Sequence, residues 1–148
     1  MSVTSLLLLA HIVSAVLMIG PLTVASGAYG RHVALATDDA ASLGAARELG
    51  RISNTYGPAS ALVGGIGAIL ATETGWWSAL WLQAAVVVYI AGYVLLVASI
   101  LPSQRRLLAA VEAGDAADQR LVRRLHGTTG AYSLSWVAVL ALMVLKPW

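Results

Sequence analysis

The stretch LLLLAHIVSAVLMIGPLTVASGA, running from Leu6 to Ala28, governs how the rest of the chain is read. It contains no charged residue. About 20 such residues at 1.5 Å each cross the hydrocarbon core of a bilayer as a helix. Two features go beyond what an anchor needs: a histidine near the start, His11, and a Gly20-Pro21 pair further in. Met1 to Ser5 brings no positive charge ahead of the run, which is longer than the roughly 7–15 apolar residues of a signal-peptide core. The expectation is a retained span.

Composition extends that reading to the whole chain. Of 148 residues, 59% are hydrophobic and only 11% are charged, and mean hydropathy is +0.80. Soluble domains carry about 25% charged residues, so most of this surface is built to face something other than water. There is no Cys, which excludes disulfides and thiolate metal sites. A net charge of +2 gives no case for a nucleic-acid partner.

Three further apolar stretches follow the first: Tyr56–Thr72, Trp77–Leu101 and Thr128–Leu145. Between them lie two polar segments, 30–55 and 102–127, and a short connection at Glu73-Thr74-Gly75. The polar segments hold Arg31, Arg47, Arg51, Arg105, Arg106, Arg120, Arg123 and Arg124, and the other side holds only Lys146. The positive-inside rule places both polar segments in the cytoplasm and both termini outside. Trp76, Trp77, Trp81 and Trp148 then fall at the outer interface, where indole is favoured. The fold class expected is all-α: a polytopic, four-helix transmembrane bundle forming one domain, residues 1–148, in the plasma membrane.

The cytoplasmic segments carry helix signals of their own. Asp38-Asp39 is placed to cap a helix from Ala40 toward Ile52, and Asp115 one from Ala116 toward Leu125. Arginines close each, where they suit a helix C-terminus and anionic head groups. Arg51-Ile52-Ser53-Asn54-Thr55-Tyr56-Gly57 and Arg124-Leu125-His126-Gly127-Thr128-Thr129-Gly130 share Arg, aliphatic, Thr and Gly at matching positions. That pattern is what two duplicated helical hairpins would leave, with ligand sites expected at their interface.

Small residues mark where helices approach in lipid. The second span has Gly57, Ala61 and Gly65 on one row and Ser60, Gly64, Ala68 and Thr72 on the next. The third has Ala84, Ala91 and Ala98 beside Ala85, Gly92 and Ser99, and the fourth has Ala131 and Ala138 flanked by Gly127 and Ala141. Seams of this kind make a closed bundle. No Asp, Glu, Lys or Arg lies inside any span, which argues against ion transport by a carboxylate relay in a single chain.

The polar residues within the spans are the candidate sites. His11 and Gln83 lie at similar depth, roughly 7–9 Å from the outer surface at 1.5 Å per residue. A hydrogen bond between them would satisfy both; otherwise His11 is a candidate ligand for haem or a quinone head group. His32 and His126, near Tyr56 and Tyr132, form a second candidate group at the cytoplasmic boundary, too far from His11 to share a cofactor with it. No HxxxH or HxxE spacing occurs, and no metal is assigned. Gly20-Pro21 predicts a bend, with Gly20 letting a neighbour approach it.

His11, Gly20-Pro21, Leu101-Pro102 before Gln104-Arg105-Arg106, and Trp136 with Met143-Val144-Leu145-Lys146-Pro147 carry a resemblance. The chain resembles a bacterial, especially actinobacterial, family of small integral membrane proteins of unknown function, over nearly its whole length. More faintly, it is similar to copper-resistance D type membrane domains. It departs from them in having Gly20-Pro21 where paired glycines are usual and in lacking a rich Met/His set. The resemblance implies fold and location and no activity. The leading expectation is a non-enzymatic membrane protein, acting as a homo-oligomer or as an accessory to a larger membrane complex. The alternatives are a haem- or quinone-binding redox protein and a small oligomeric transporter.

Overall fold

A computed structural model describes residues 2–146, and the described residues contain helices and no strand. Trp148, expected in the outer aromatic belt, lies outside them. Helix α1, Val3–Leu35, starts at Ser2, whose side chain accepts from the Ser5 N–H at 3.1 Å. The helix runs through Pro21, which has no N–H for the Leu17 carbonyl. Gly20 and Pro21 are both exposed, and nothing lies within 4 Å of where a Gly20 Cβ would be. The expected neighbour at Gly20 is therefore absent, because the buried face of α1 carries Leu22, Ala25, Ser26, Tyr29, Gly30 and Val33 instead.

Helix α2, Ala40–Ala59, opens at Asp39 as expected and continues past Ile52. Pro58 lies inside its last turn, and the helix is interrupted at Ser60, whose hydroxyl donates to the Gly57 carbonyl at 2.7 Å. Helix α3, Ala61–Thr74, follows directly. The expected span Tyr56–Thr72 is thus divided, and α3 alone, 14 residues or about 21 Å long, is too short to cross. Gly75 ends α3 with φ +70°, a conformation that costs glycine least.

A 3₁₀ turn, Trp76–Ser78, leads into α4, Leu80–Leu95. A π-turn over Leu96–Ile100 joins α4 to α5, Leu101–Glu112. The polar segment expected from Pro102 is thus helical at its start, continuous with the helix before it. Pro102 cannot donate to the Ala98 carbonyl and its ring would crowd it. The wider turn, in which the Leu101 N–H bonds to the Leu96 carbonyl, relieves that conflict. Helix α6, Gln119–Leu145, is capped by Asp118 and not Asp115: the Asp118 carboxylate accepts from the N–H groups of Arg120 and Leu121. Ala117 is buried just ahead of it, which sets where the helix can begin. Among the described residues, three helical stretches are long and apolar enough to cross a membrane: Val3–Leu35, Leu80–Glu112 and Gln119–Leu145.

Side-chain contacts place the helices as four antiparallel rods. Tyr29 meets Gly50, Ser26 meets Ser53 and His11 meets Gly67, so α2 and α3 run as one rod back along α1. Arg47 meets Glu112, Asn54 meets Arg105 and Gly57 meets Leu101, which sets α2 against α5. Gly92 meets Ser135 between α4 and α6. Gly30 meets His126 and closes the ring between α1 and α6. The result is an up-down-up-down bundle of two hairpins.

The buried core is uneven along this bundle. Its main part lies toward the arginine-rich end and contains Leu22, Tyr29, Val33, Leu96, Ile100, Leu107, Leu125 and Tyr132. A small second cluster of Ala71, Trp81 and Leu82 lies toward the tryptophan end. There the Lys146 ammonium lies 4.2 Å from the Trp76 ring centre and 5.3 Å from that of Trp81. The N-terminal half of α1 is largely uncovered, with Leu6, Leu9, Ile12, Val13, Val16 and Leu17 exposed.

The Asp39 cap makes a pH prediction. The Ser42 hydroxyl, followed by the N–H groups of Ala41 and Ser42, holds its carboxyl below the usual carboxylate range. A depressed folded-state pKa means that the cap stabilises fully above the unfolded value of about 3.9 and is lost as pH falls through the folded value. The amide shifts of Ala41 and Ser42 should titrate with a midpoint below about 3.9. In Ser42→Ala the midpoint should move back up.

Candidate functional site

The candidate groups read from the sequence are separated by the fold. His11 is half-buried, and its Nδ1 lies 3.1 Å from the Val63 carbonyl. A carbonyl only accepts, so Nδ1 carries the proton and donates, leaving Nε2 with the lone pair. The ring lies against Gly67, where a Cβ would come within 2.8 Å of it. Gln83 is exposed, and its Nε2 donates to the Trp77 carbonyl at 3.0 Å. The expected His11–Gln83 bond is not made, because Gln83 lies off the face of α4 that buries Trp81, Leu82 and Ala85.

His32 and His126 also share no hydrogen bond among the described residues. His32 Nδ1 is buried without a partner, whereas His126 is exposed and lays its ring on Gly30. Tyr56 is half-buried at the edge of the main core. Tyr132 is fully buried, with its ring 6.1 Å from that of Trp136. Trp136 in turn meets Tyr89 at 5.7 Å, and Tyr89 stacks on Tyr93 at 6.2 Å. These four form an aromatic cluster between α4 and α6, tied to the start of α3 by the Tyr89 hydroxyl donating to the carbonyl of its N-cap, Ser60, at 3.3 Å. Among the described residues, no group of three or more His, Asp or Glu side chains is arranged to hold a metal ion.

What the fold does assemble is a cleft at the arginine-rich end, between α1, α2 and α5. Its volume is about 220 Å³. Arg47, Arg51 and Asn54 reach it from α2, Gln104 and Arg105 from α5, and Tyr29 from α1. Residues 47, 50, 51 and 54 share one face of α2 because they are three, four and seven apart. Gly50 carries no side chain between the arginines, and the Tyr29 ring fills the space behind it, 3.2 Å from where a Cβ would be. The Tyr29 hydroxyl donates to the Gln104 carbonyl at 2.6 Å and ties the floor of the cleft to α5.

Each of the three arginines has a side-chain partner. Arg47 donates through Nε to Glu112 at 2.6 Å, and Arg105 donates through Nε to Asn54 Oδ1 at 2.5 Å. Arg51 pairs through a terminal nitrogen with Glu48 at 2.9 Å, one turn away. Exposed pairs of this kind contribute about 0–1 kcal/mol each. Their greater consequence is positional, since the terminal nitrogens of Arg47 and Arg105 take no part in these bonds. Arg105 has no carboxylate partner among the described residues. Gln104 is 1% exposed, and both of its amide atoms are buried without a hydrogen-bond partner.

In the sequence these arginines mark sidedness and suit helix C-termini and anionic head groups, without forming a site. The spacing along α2 was available, but joining it to Gln104 and Arg105 required α5 to be helical beyond Pro102. No family model, no curated protein and no solved structure matches this chain. Fold and site together define its class: an all-helical bundle with three helices of membrane-spanning length and a basic cleft at one end.

Proposed function

We propose that the chain is a non-enzymatic, multi-pass membrane subunit that crosses the bilayer four times, with the arginine-rich end cytoplasmic and both termini outside. The observation that carries this reading is the contrast along α1. Its inner half is packed on all four rods' shared core, while its outer half presents Leu6, Leu9, Ile12, Val13, Val16 and Leu17 to the surroundings. Water does not tolerate an apolar wall of that extent, whereas lipid or a neighbouring subunit does. The fourth crossing is completed by α3 together with the last turn of α2, since the two form one rod beside α1. Eight of the nine basic residues then lie on one side, as the positive-inside rule requires. The resemblance to small actinobacterial membrane proteins fits this reading and adds no activity to it.

The absence of native cysteine makes a direct test simple. Single cysteines placed at Thr37, Ser78 and Asp115 should divide by side. The Ser78 position should label in intact cells, and the Thr37 and Asp115 positions only after permeabilisation. A cysteine at Val16, oxidised in native membranes, should give an adduct larger than one chain. Labelling of Ser78 and Asp115 from the same side would remove the four-crossing topology. An uncross-linked Val16 variant would remove the subunit role.

A further inference from the structure

The cleft between α1, α2 and α5 has the attributes of a built anion site. Three arginines line it, Arg47, Arg51 and Arg105. Two are oriented by bonds through Nε, which leaves the planar fork of terminal nitrogens for a further acceptor. That fork matches the oxygens of phosphoryl groups better than a point charge does. A second observation points the same way. Gln104 is among the residues lining the cleft, and neither atom of its buried side-chain amide has a partner, an arrangement that costs about 1–3 kcal/mol unless something supplies one. Turned toward the cleft, its Nε2–H group would be a donor for an anion seated there.

Volume and charge narrow the ligand. A space of about 220 Å³ is smaller than the roughly 300–1,000 Å³ of sites for drug-sized molecules. It takes a head group or a small ester and excludes a haem. Glu112 and Glu48 offset Arg47 and Arg51, while Arg105 is held by the neutral Asn54. The balance at the cleft is positive. We propose that this cleft binds a phosphoryl-bearing anion through Arg47, Arg51, Arg105 and Gln104. The chemistry is that of an anionic phospholipid head group or of a soluble phosphate ester. The geometry of the cleft does not depend on the four-crossing topology.

The full-length protein in a neutral maltoside detergent supplies the test, read by native mass spectrometry with added phosphatidylglycerol or phosphatidylcholine. Phosphatidylglycerol should be retained about tenfold more than phosphatidylcholine, since charge-assisted hydrogen bonds favour the accessible anion. Arg51→Gln and Arg105→Gln should each remove about tenfold of that retention. Arg106→Gln, the same charge change on an exposed neighbour outside the cleft, should leave it nearly intact. Arg51 is largely solvent-exposed, so Arg51→Gln tests the site even where Arg105→Gln, which releases Asn54, disturbs folding.

Inorganic phosphate distinguishes the sources. Competition by millimolar phosphate against the lipid identifies a soluble phosphate ester as a natural occupant. Retention of lipid undisturbed by phosphate identifies the head group. Equal retention of the two lipids together with no effect of phosphate overturns the proposal. Equal losses from Arg106→Gln and the two cleft variants overturn it as well, since diffuse surface charge would then account for binding.

Discussion

Tyr29→Ala is expected to destabilise the protein by about 3–5 kcal/mol, the range for removing a fully buried aromatic side chain. Tyr29 is 0% exposed and joins three elements. Its ring lies behind Gly50 of α2, and its hydroxyl donates to the Gln104 carbonyl of α5 at 2.6 Å. The truncation opens a cavity where α1, α2 and α5 meet, and the rods around it are continuous helices that cannot collapse into it. Tyr29→Phe keeps the ring and loses only the hydrogen bond, for about 1 kcal/mol. The measurement is the unfolding midpoint in mixed detergent–SDS micelles. Similar losses from both variants would show that the hydroxyl carries the effect and that the ring does not.

Gly64 gives the second large effect. A Cβ there would lie 2.6–2.7 Å from the Oη, Cε1 and Cζ atoms of Tyr89. That ring cannot simply retreat. Its hydroxyl bonds to the Ser60 carbonyl, one face stacks on Tyr93, and Trp136 meets it edge-on. Two terms oppose each other in Gly64→Ala. Helix propensity favours alanine by about 1 kcal/mol. Overpacking costs about 1–3 kcal/mol and should exceed it. Gly64→Leu should lie near about 3 kcal/mol.

The neighbouring position provides the control. Gly65 is exposed with open space around it, so Gly65→Ala should stabilise by up to about 1 kcal/mol. In Tyr89→Leu the overpacking cost of Gly64→Ala should fall away and leave the propensity gain of up to about 1 kcal/mol, a coupling within the 0.5–3 kcal/mol seen for residues in contact. Unchanged cost in that background would mean that something other than the ring limits the site.

How much of this could be read in the sequence depends on the kind of signal. The helical class, the long apolar stretches and the gathering of arginines into two segments were all legible, because hydropathy and charge are properties of each residue alone. The cap at Asp39 was legible for the same reason: its partners, Ala41 and Ser42, are adjacent in the chain. The cap expected at Asp115 lies instead at Asp118, because burial of Ala117 is a tertiary fact. Pro58 and Pro102 were visible too. That the first lies in a helix ending at Ala59 and the second just after a π-turn is seen only in the structure.

The seams show the limit most clearly. Ser60, Ala85 and Gly92 are buried as the small-residue rows suggested. Gly65, Ala91, Ala98, Ala131 and Ala138 belong to the same kind of row and face outward. The close contacts made by Gly30 and Gly67 lay on no such row. Among the site candidates, His11 and Gln83 shared a depth and the fold gave each a different partner.

By itself the sequence determined the medium this protein is built for, its helices and the end at which its positive charge collects. Only the tertiary structure decided which faces meet, and with that the arginine cleft. The physical reason lies in the apolar helices. In a soluble protein, the contrast between an apolar and a polar face tells each helix how to turn. Here apolar residues surround α1 over its N-terminal half, and lipid is as good a neighbour as another helix. Orientation then rests on shape, a glycine opposite a ring or a tyrosine behind an arginine pair, and shape is set between residues far apart in the chain.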